Sequence, residues 1–393
     1  MAKWLEKTLG EVTAFIAKGI PPKYTEKENE NTIRVLNQKC NRNFEISYSE
    51  SRIHDCEKKK VPVDKMLRAG DVLINSTGTG TAGRVAQMVE VIVPTTIDGH
   101  MILIRPSEEL DPIYYGYAVK SFQSQIEGLA EGSTGQTEIN RRRLQDEVII
   151  RYPSDKLVQK NIGSFLANID EKIKTNKEIN KNLLQQLHVL YLRFFCDSAM
   201  DTHLGDVVAT TSGGTPSRKH DEYYSDSSIC WVKSKELLGN YIHETEEHIN
   251  DLAIKKSSAK LLPEHSVLIA MYGATVGAYG VISKPMTCNQ AVCALLCNEN
   301  YPYTYLFQIA YESQQKFINL AVGSAQQNIS QVLIKQLSLH SDLDIIQRFH
   351  DLALPMHQEI EFLQAENIRL SDLRDNLLPK LMSGELDVSN VEI

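Results

Sequence analysis

Apolar residues recur at spacings of three and four along two stretches of the chain. In the first, Leu166, Ile169, Ile173, Asn176, Asn180, Leu183, Leu187 and Leu190 fall on one stripe; in the second, Ala353, Met356, Ile360, Leu363, Asn367, Leu370, Arg374, Leu377 and Leu381 do. A stripe kept up for this length predicts two long helices whose seams face a helical partner. Asn176, Asn180 and Asn367 are coiled-coil register positions, since a polar seam residue costs stability but fixes which turns face each other. Elsewhere the pattern shortens to β-branched and apolar runs. Val72-Leu73-Ile74, residues 89–94, Val267-Leu268-Ile269 and the run TCNQAVCALLC at 287–297 all read as strands.

These elements occur twice in one order. Leu9-Gly10-Glu11-Val12 returns as Leu204-Gly205-Asp206-Val207, and Gly19 and Pro21 return as Gly214 and Pro216. The strand at 72–74 returns at 267–269, with Gly78 matching Gly273 behind it. Gly132, Ser133, Gln136 and Ile139 match Gly323, Ser324, Gln327 and Ile329. A period this long excludes a solenoid and indicates a duplicated domain. The expected fold class is α+β: two tandem mixed α/β domains, separated by two long helices that form an antiparallel intramolecular coiled coil with pseudo-two-fold symmetry. The boundaries read as domain 1 at 1–153, the central helix at 154–198, domain 2 at 199–340 and the C-terminal helix at 341–393. The same order predicts that the two chain ends are neighbours. The seam from Leu166 to Leu190 is about 37 Å long at about 1.5 Å per residue, close to the roughly 34–36 Å of one turn of B-DNA. The helices are therefore expected to act as a ruler between two reading domains.

Charge sharpens this picture. The chain of 393 residues carries a net charge of −8, but residues 1–150 hold 20 basic against 21 acidic side chains, and 201–350 hold 11 against 15. Residues 151–200 hold 8 basic against 5 acidic, and 351–393 hold 3 against 9. The two helical segments are thus of opposite sign and expected to pair with each other, while the domains are near balance and leave room for a local basic face. No run approaches the roughly 18 apolar residues of a membrane span, and the start lacks an apolar signal core, so a cytoplasmic protein is expected. The 7 cysteines contain no C-x-x-C pair; Cys288, Cys293 and Cys297 read as small core residues, and no metal site is signalled.

No catalytic motif survives its context. Gly78-Thr79-Gly80-Thr81-Ala82-Gly83 is a literal G-x-G-x-x-G after a strand, but a dinucleotide site needs a helix next, and strand-like residues follow. In the second copy, 273–280, the spacing is lost while a Gly-rich strand connection remains. No P-loop occurs. Ile20-Pro21-Pro22-Lys23-Tyr24 lacks the Asn or Asp of an adenine methyltransferase, and Glu57-Lys58-Lys59 lacks the Pro-Asp of a nuclease centre.

The side chains suited to DNA gather in loops, where Lys and Arg meet phosphate and Arg, Asn, Gln, Ser and Thr read base edges. In the first domain the candidates are Lys58, Lys59 and Lys60; Asn75, Ser76, Thr77, Thr79 and Arg84 around the Gly-rich loop; and Ser133, Thr134 and Gln136 before Arg141, Arg142 and Arg143. In the second they are Arg218 and Lys219; Tyr272, Thr275 and Tyr279; and Ser324, Gln326, Gln327 and Asn328.

Three segments resemble the specificity subunit of type I restriction-modification enzymes: GDVLINSTGTGTAGRVA at 70–86, RYPSDKLVQKNIGSFLANIDEKI at 151–173, and LLPKLMSGEL at 377–386. The second helix start, at 342–347, departs from the pattern by lacking the Pro. The resemblance implies a non-catalytic subunit that reads a bipartite sequence in double-stranded DNA, one part per domain. It implies docking of two methylation subunits, with up to two restriction/translocase subunits joining them. S-adenosylmethionine, ATP and Mg would belong to those partners, with no cofactor in this chain. The competing class is a duplicated β-rich interaction module on a coiled-coil scaffold that does not bind DNA; an enzyme with an unrecognised site comes third.

Overall fold

The run Val72-Leu73-Ile74 becomes the interior strand Val72–Asn75, buried at all four positions. It lies between Met101–Pro106 and Val85–Gln87, antiparallel to both, and Thr13–Lys18 completes a four-stranded sheet outside Met101–Pro106. A strand covered on both faces needs apolar residues throughout and not an alternating pattern, which is what this segment supplies. The second copy repeats the order: Ala209–Ser212, Val292–Leu296, Val267–Ala270, Tyr279–Ile282, with Tyr241–Ile242 added in parallel at the edge. A smaller sheet accompanies each, built on Thr32–Leu36 and Arg52–Asp55 in the first copy and on Ile229–Val232 in the second.

The computed structural model describes residues 3–131, 137–322 and 328–386. The chain divides into two compact units, one of residues 1–172 with 370–393, the other of residues 173–369. Each long helix, Lys156–Phe195 and Leu343–Ser383, contributes to both units.

In the first unit, Trp4–Thr8 pairs with Ile149–Pro153 immediately before the helix begins, and in the second Met200–His203 pairs with Ser338–His340. The repeated Leu-Gly-acid-Val landmark sits at this closure. Leu9 N donates to Val148 O at 2.7 Å, and Leu204 N donates to Leu337 O at 2.8 Å. A helix follows the sheet in each copy: Pro112–Ser121, capped by Asp111 and carrying Pro at its start, and Tyr303–Val322.

None of the seam positions predicted from the 3,4 rhythm is exposed. Within the second unit the two helices run antiparallel. Phe194 and Phe195 pack on Phe349 at 6.1 and 5.6 Å between ring centroids. About five turns earlier on one helix and later on the other, Asn176 Nδ2 donates to Asn367 Oδ1 at 2.9 Å. Within the first unit, Asp170 meets Arg374, and Leu166 shares a core with Leu378 and Leu381. The last residues at both ends, 1–2 and 387–393, lie outside the described residues, but Gly384 lies against Trp4 in the same unit. A Cβ on Gly384 would fall 2.5 Å from the Trp4 ring, so only glycine lets the tail lie there.

Two strand expectations are refined. Residues 287–297 form two short strands, Thr287–Cys288 and Val292–Leu296, and Cys288 and Cys293 are fully buried as core residues. Residues 89–94 are not a strand. The strand ends at Gln87, the next begins at Thr95, and between them Val89 is 81% and Ile92 71% exposed. A β-branched run satisfies strand propensity locally, but only its last residue reaches a neighbouring strand, where Pro94 O accepts from Arg34 N at 3.0 Å.

The seam asparagines make a stability prediction. Asn176 spends its amide on Asn367 and Glu366, while its buried Oδ1 has no partner. Replacing Asn176 and Asn367 together by Leu is expected to stabilise the chain by about 1–2 kcal/mol while loosening register. A lowered midpoint in thermal denaturation would show that these positions do not share a hydrophobic seam.

Candidate nucleic-acid interface

The Gly-rich loop is a tight β-connection. Gly78 has φ +118°, and a Cβ there would meet Thr81 Oγ1 at 2.2 Å; Gly83 has φ +87°, and its Cβ would meet Glu127 Cα at 2.5 Å. The glycines thus answer to backbone conformation and close packing. The loop leads into the strand Val85–Gln87, antiparallel to Val72–Asn75, and not into the helix that a dinucleotide site requires.

This loop is joined to a segment some sixty residues later. Thr77 bridges to Glu138, and Ile139 N donates to Ser76 O at 2.7 Å. The second copy does the same: Tyr272 bridges to Asn328, and Ile329 N donates to Met271 O at 2.9 Å. In each unit, two loops singled out separately in the sequence therefore form one surface. Ser133, Thr134 and Gln136 in the first, and Ser324, Gln326 and Gln327 in the second, lie outside the described residues.

On the first surface, Thr79 is exposed, Thr77 and Arg84 are half-buried, and Arg84 donates to Gly80 O at 3.1 Å. The short helix Arg141–Glu147 is capped by Asn140, which accepts from the amides of Arg142 and Arg143. Its three arginines occupy the first turn, where the helix dipole disfavours cations, so the helix itself gives no reason for them. Arg143 is held by Glu131 and Glu147, Arg142 reaches Asp146 only at 3.6 Å, and Arg141 is exposed. Lys58 pairs with Asp55 at 3.0 Å, while Lys59 and Lys60 extend outward beside it.

Asn75 and Ser76 must be withdrawn from the candidate contacts. Both are fully buried; Asn75 donates to Gln38 O at 3.1 Å and accepts from Asn41 at 3.2 Å, bracing the loop from below. Tyr279 is withdrawn as well, because it lies buried with its ring against Phe307 at 5.2 Å.

Sequence pattern alone misses Gln38 and Asn41, which lie under the Gly-rich loop. Asn41 donates to Arg84 O at 2.9 Å, and the buried Gln38 Oε1, Asn41 Oδ1, Ser76 Oγ and Thr81 Oγ1 have no partner among the described residues. Unpaired buried acceptors are costly, and a cluster of them marks a place built for more than folding. Nothing local could have flagged them, since they precede the loop by about forty residues.

On the second surface, Tyr272 is exposed, Thr275 donates to Tyr272 O at 3.1 Å, and Asn328 is exposed. Arg218 lies over the Tyr224 ring at 4.3 Å and pairs with Glu247, which leaves Lys219 as the outward cation of that pair. Among the described residues one cluster could hold a metal: Cys230, Glu244 and His248 bring donor atoms within 4.8 Å of one another. Lys284 already neutralises the Glu244 carboxylate, holding it below its usual range, and burial pushes the Cys230 thiol up.

Comparison with known proteins places this geometry. The family described as the type I restriction modification DNA specificity domain matches residues 1–185 and again 199–340. The type I restriction enzyme MjaIX specificity subunit of Methanocaldococcus jannaschii is 25% identical over 311 residues, covering 71% of this chain and 69% of that one. The HindI specificity subunit of Haemophilus influenzae is 24% identical over 188 residues, covering 47% of this chain and 40% of the relative. In three dimensions the chain resembles the crystal structure of a type I restriction-modification system S subunit from M. genitalium, with a TM-score of 0.61, 16% identity, and coverage of 97% and 96% of the two chains. That last likeness is one of fold.

Proposed function

The chain belongs to the type I restriction modification DNA specificity family, and we propose that it reads a bipartite sequence in double-stranded DNA, one half per repeat. In this reading it is the non-catalytic specificity subunit, and it directs adenine methylation by two docked methylation subunits. Restriction follows when nuclease subunits join. S-adenosylmethionine, ATP and Mg act on those partners. The observation that supports one half per repeat is the matched pair of surfaces: the Thr77–Glu138 and Tyr272–Asn328 bridges assemble equivalent loops in each unit. Short strand connections of this kind present backbone and hydroxyl groups together, and flanking Lys and Arg supply phosphate contacts.

The test is an exchange. Residues 1–153 are replaced by the first repeat of a relative, and the methylated sequence is read in a host that also supplies the methylation subunit. One half of the recognised sequence is expected to change completely and the other to stay. Retention of both halves would remove the reading. In parallel, Arg141→Ala should weaken binding to every duplex alike and reduce the salt slope by about one, as loss of a single phosphate contact does. Binding that ignores salt, or no binding to duplex DNA, would instead favour an interaction module that recognises protein.

A further inference from the structure

The second unit holds an open cavity of about 860 Å³ that the proposed reading of DNA leaves without a role. It lies between the central and terminal helices, the helix Tyr303–Val322 and the edge strand Tyr241–Ile242. Its volume is in the range of small-molecule sites.

The wall is what sets it apart from a packing defect. Asn180, Asn240, His243 and Gln308 are among its lining residues, and Asn180 Oδ1, Asn240 Oδ1, His243 Nε2 and Gln308 Oε1 are buried with no hydrogen-bond partner among the described residues. Asn180 is 6% and Gln308 2% exposed. Each unpaired group of this kind keeps its full desolvation penalty, which apolar side chains of similar shape would relieve. Four converging on one space indicate a guest that satisfies them. A side-chain amide can turn over, so these groups offer donors and acceptors along one edge.

The rest of the wall narrows the class of guest. Tyr279, Phe307 and Tyr311 form an aromatic side, with Tyr279 at 5.2 Å from Phe307 and 6.3 Å from Tyr311. Such rings suit a flat heterocycle. Lys181, on the central helix, is exposed at the rim. His188, another lining residue, is paired with Glu312 at 2.9 Å.

The repeat does not require a cavity at this place. The corresponding junction in the first unit, where Pro112–Ser121 meets the two helices, is filled. Tyr117 donates to Asp170, Asp170 pairs with Arg374, and Lys120 lies over the Phe44 ring at 4.4 Å. In the second unit, amide side chains bordering an open space stand at that place.

We propose that this cavity binds a purine nucleotide, its base edge bonded to Asn180, Asn240, His243 and Gln308, its ring against the aromatic side, and its phosphate at Lys181. The purified full chain would be titrated with adenosine and guanosine monophosphates, with adenosine, and with inorganic phosphate, by calorimetry and thermal shift. One site per chain is expected for a nucleotide, with phosphate alone far weaker. Lys181→Glu should weaken the nucleotide about tenfold or more and leave adenosine little changed. Gln308→Leu should abolish binding without lowering the thermal midpoint, because it also removes an unpaired buried group. Tyr311→Ala, at a position 44% exposed and so tolerant of change, should weaken binding about tenfold while the fold is kept. No binding at millimolar nucleotide, or affinity unchanged in both Gln308→Leu and Tyr311→Ala, would overturn the proposal. So would phosphate binding as tightly as nucleotide, or a cavity closed to nucleotide whenever a methylation subunit is bound.

Discussion

Replacing Arg374 by Met is expected to lower the unfolding free energy by about 3 kcal/mol, the scale on which one partner of a buried ion pair is lost. Arg374 Nη1 lies 2.6 Å from Asp170 Oδ1, with side chains 15% and 27% exposed. Tyr117 donates to the other carboxylate oxygen. Without the guanidinium, the Asp170 charge remains in the seam with only a phenol to hold it. Lys120 stands close by, its amine pushed down to about 8, mainly by burial and next by the charge of Arg374. Removing Arg374 frees Lys120 to regain its proton affinity and move toward Asp170, which makes about 3 kcal/mol an upper limit on the loss. The double variant Asp170→Leu with Arg374→Met should recover most of the stability, because apolar packing then replaces both charges. Urea denaturation of the two variants checks this. A single variant within about 0.5 kcal/mol of the parent would show the pair to be no more than a surface contact.

Acidification from pH 7 to pH 5 is expected to cost about 2 kcal/mol through His357 alone, at about 1.36 kcal/mol for each pH unit below the ordinary histidine range. His357 is fully buried on the terminal helix, shares a hydrogen bond with the Tyr241 hydroxyl at Nδ1 (2.9 Å), and has no partner at Nε2 among the described residues. Burial, and next the neighbouring His350 and His265, push its pKa down from 6.5 to about 3. Above pH 6.5 the ring is neutral in both folded and unfolded chains, and its contribution is fully present. Between 6.5 and 3 the unfolded chain takes up a proton that the folded chain refuses, so stability falls as pH falls. His340, His350 and His243 are lowered in the same direction by burial and add to the trend. His357→Gln keeps an acceptor for Tyr241 and removes the titration. Denaturation midpoints at pH 7 and pH 5 should then differ less in the variant than in the parent. An equal difference would mean that another group carries the acid sensitivity.

Much of the scaffold was legible because it is written at short range. The 3,4 rhythm from Leu166 to Leu190 and from Ala353 to Leu381 follows from helical geometry alone, and none of those positions is exposed. The repeat was legible for a similar reason. Leu9 and Leu204 close their units with the same backbone hydrogen bond, so the same residue type was kept at both places. The shortness of the β-branched run at 89–94 misled, because propensity cannot say whether an edge stands ready to pair.

The candidate surfaces were only half legible. Asn75 and Ser76 have the chemistry of base readers, but they end an interior strand, and a strand residue's face is settled by the strands beside it. By itself the sequence determined the duplication, the two helices, their seam and the loops with DNA-binding composition, all of them regularities within about one helix length or repeated at a fixed order. Tertiary structure alone decided that Thr77 meets Glu138 and Tyr272 meets Asn328, that Gln38 and Asn41 lie under the loop, and that Asn180, Asn240, His243 and Gln308 face one cavity. Those contacts join residues tens of positions apart, and their formation depends on closing whole sheets and helices around them, which no local pattern encodes.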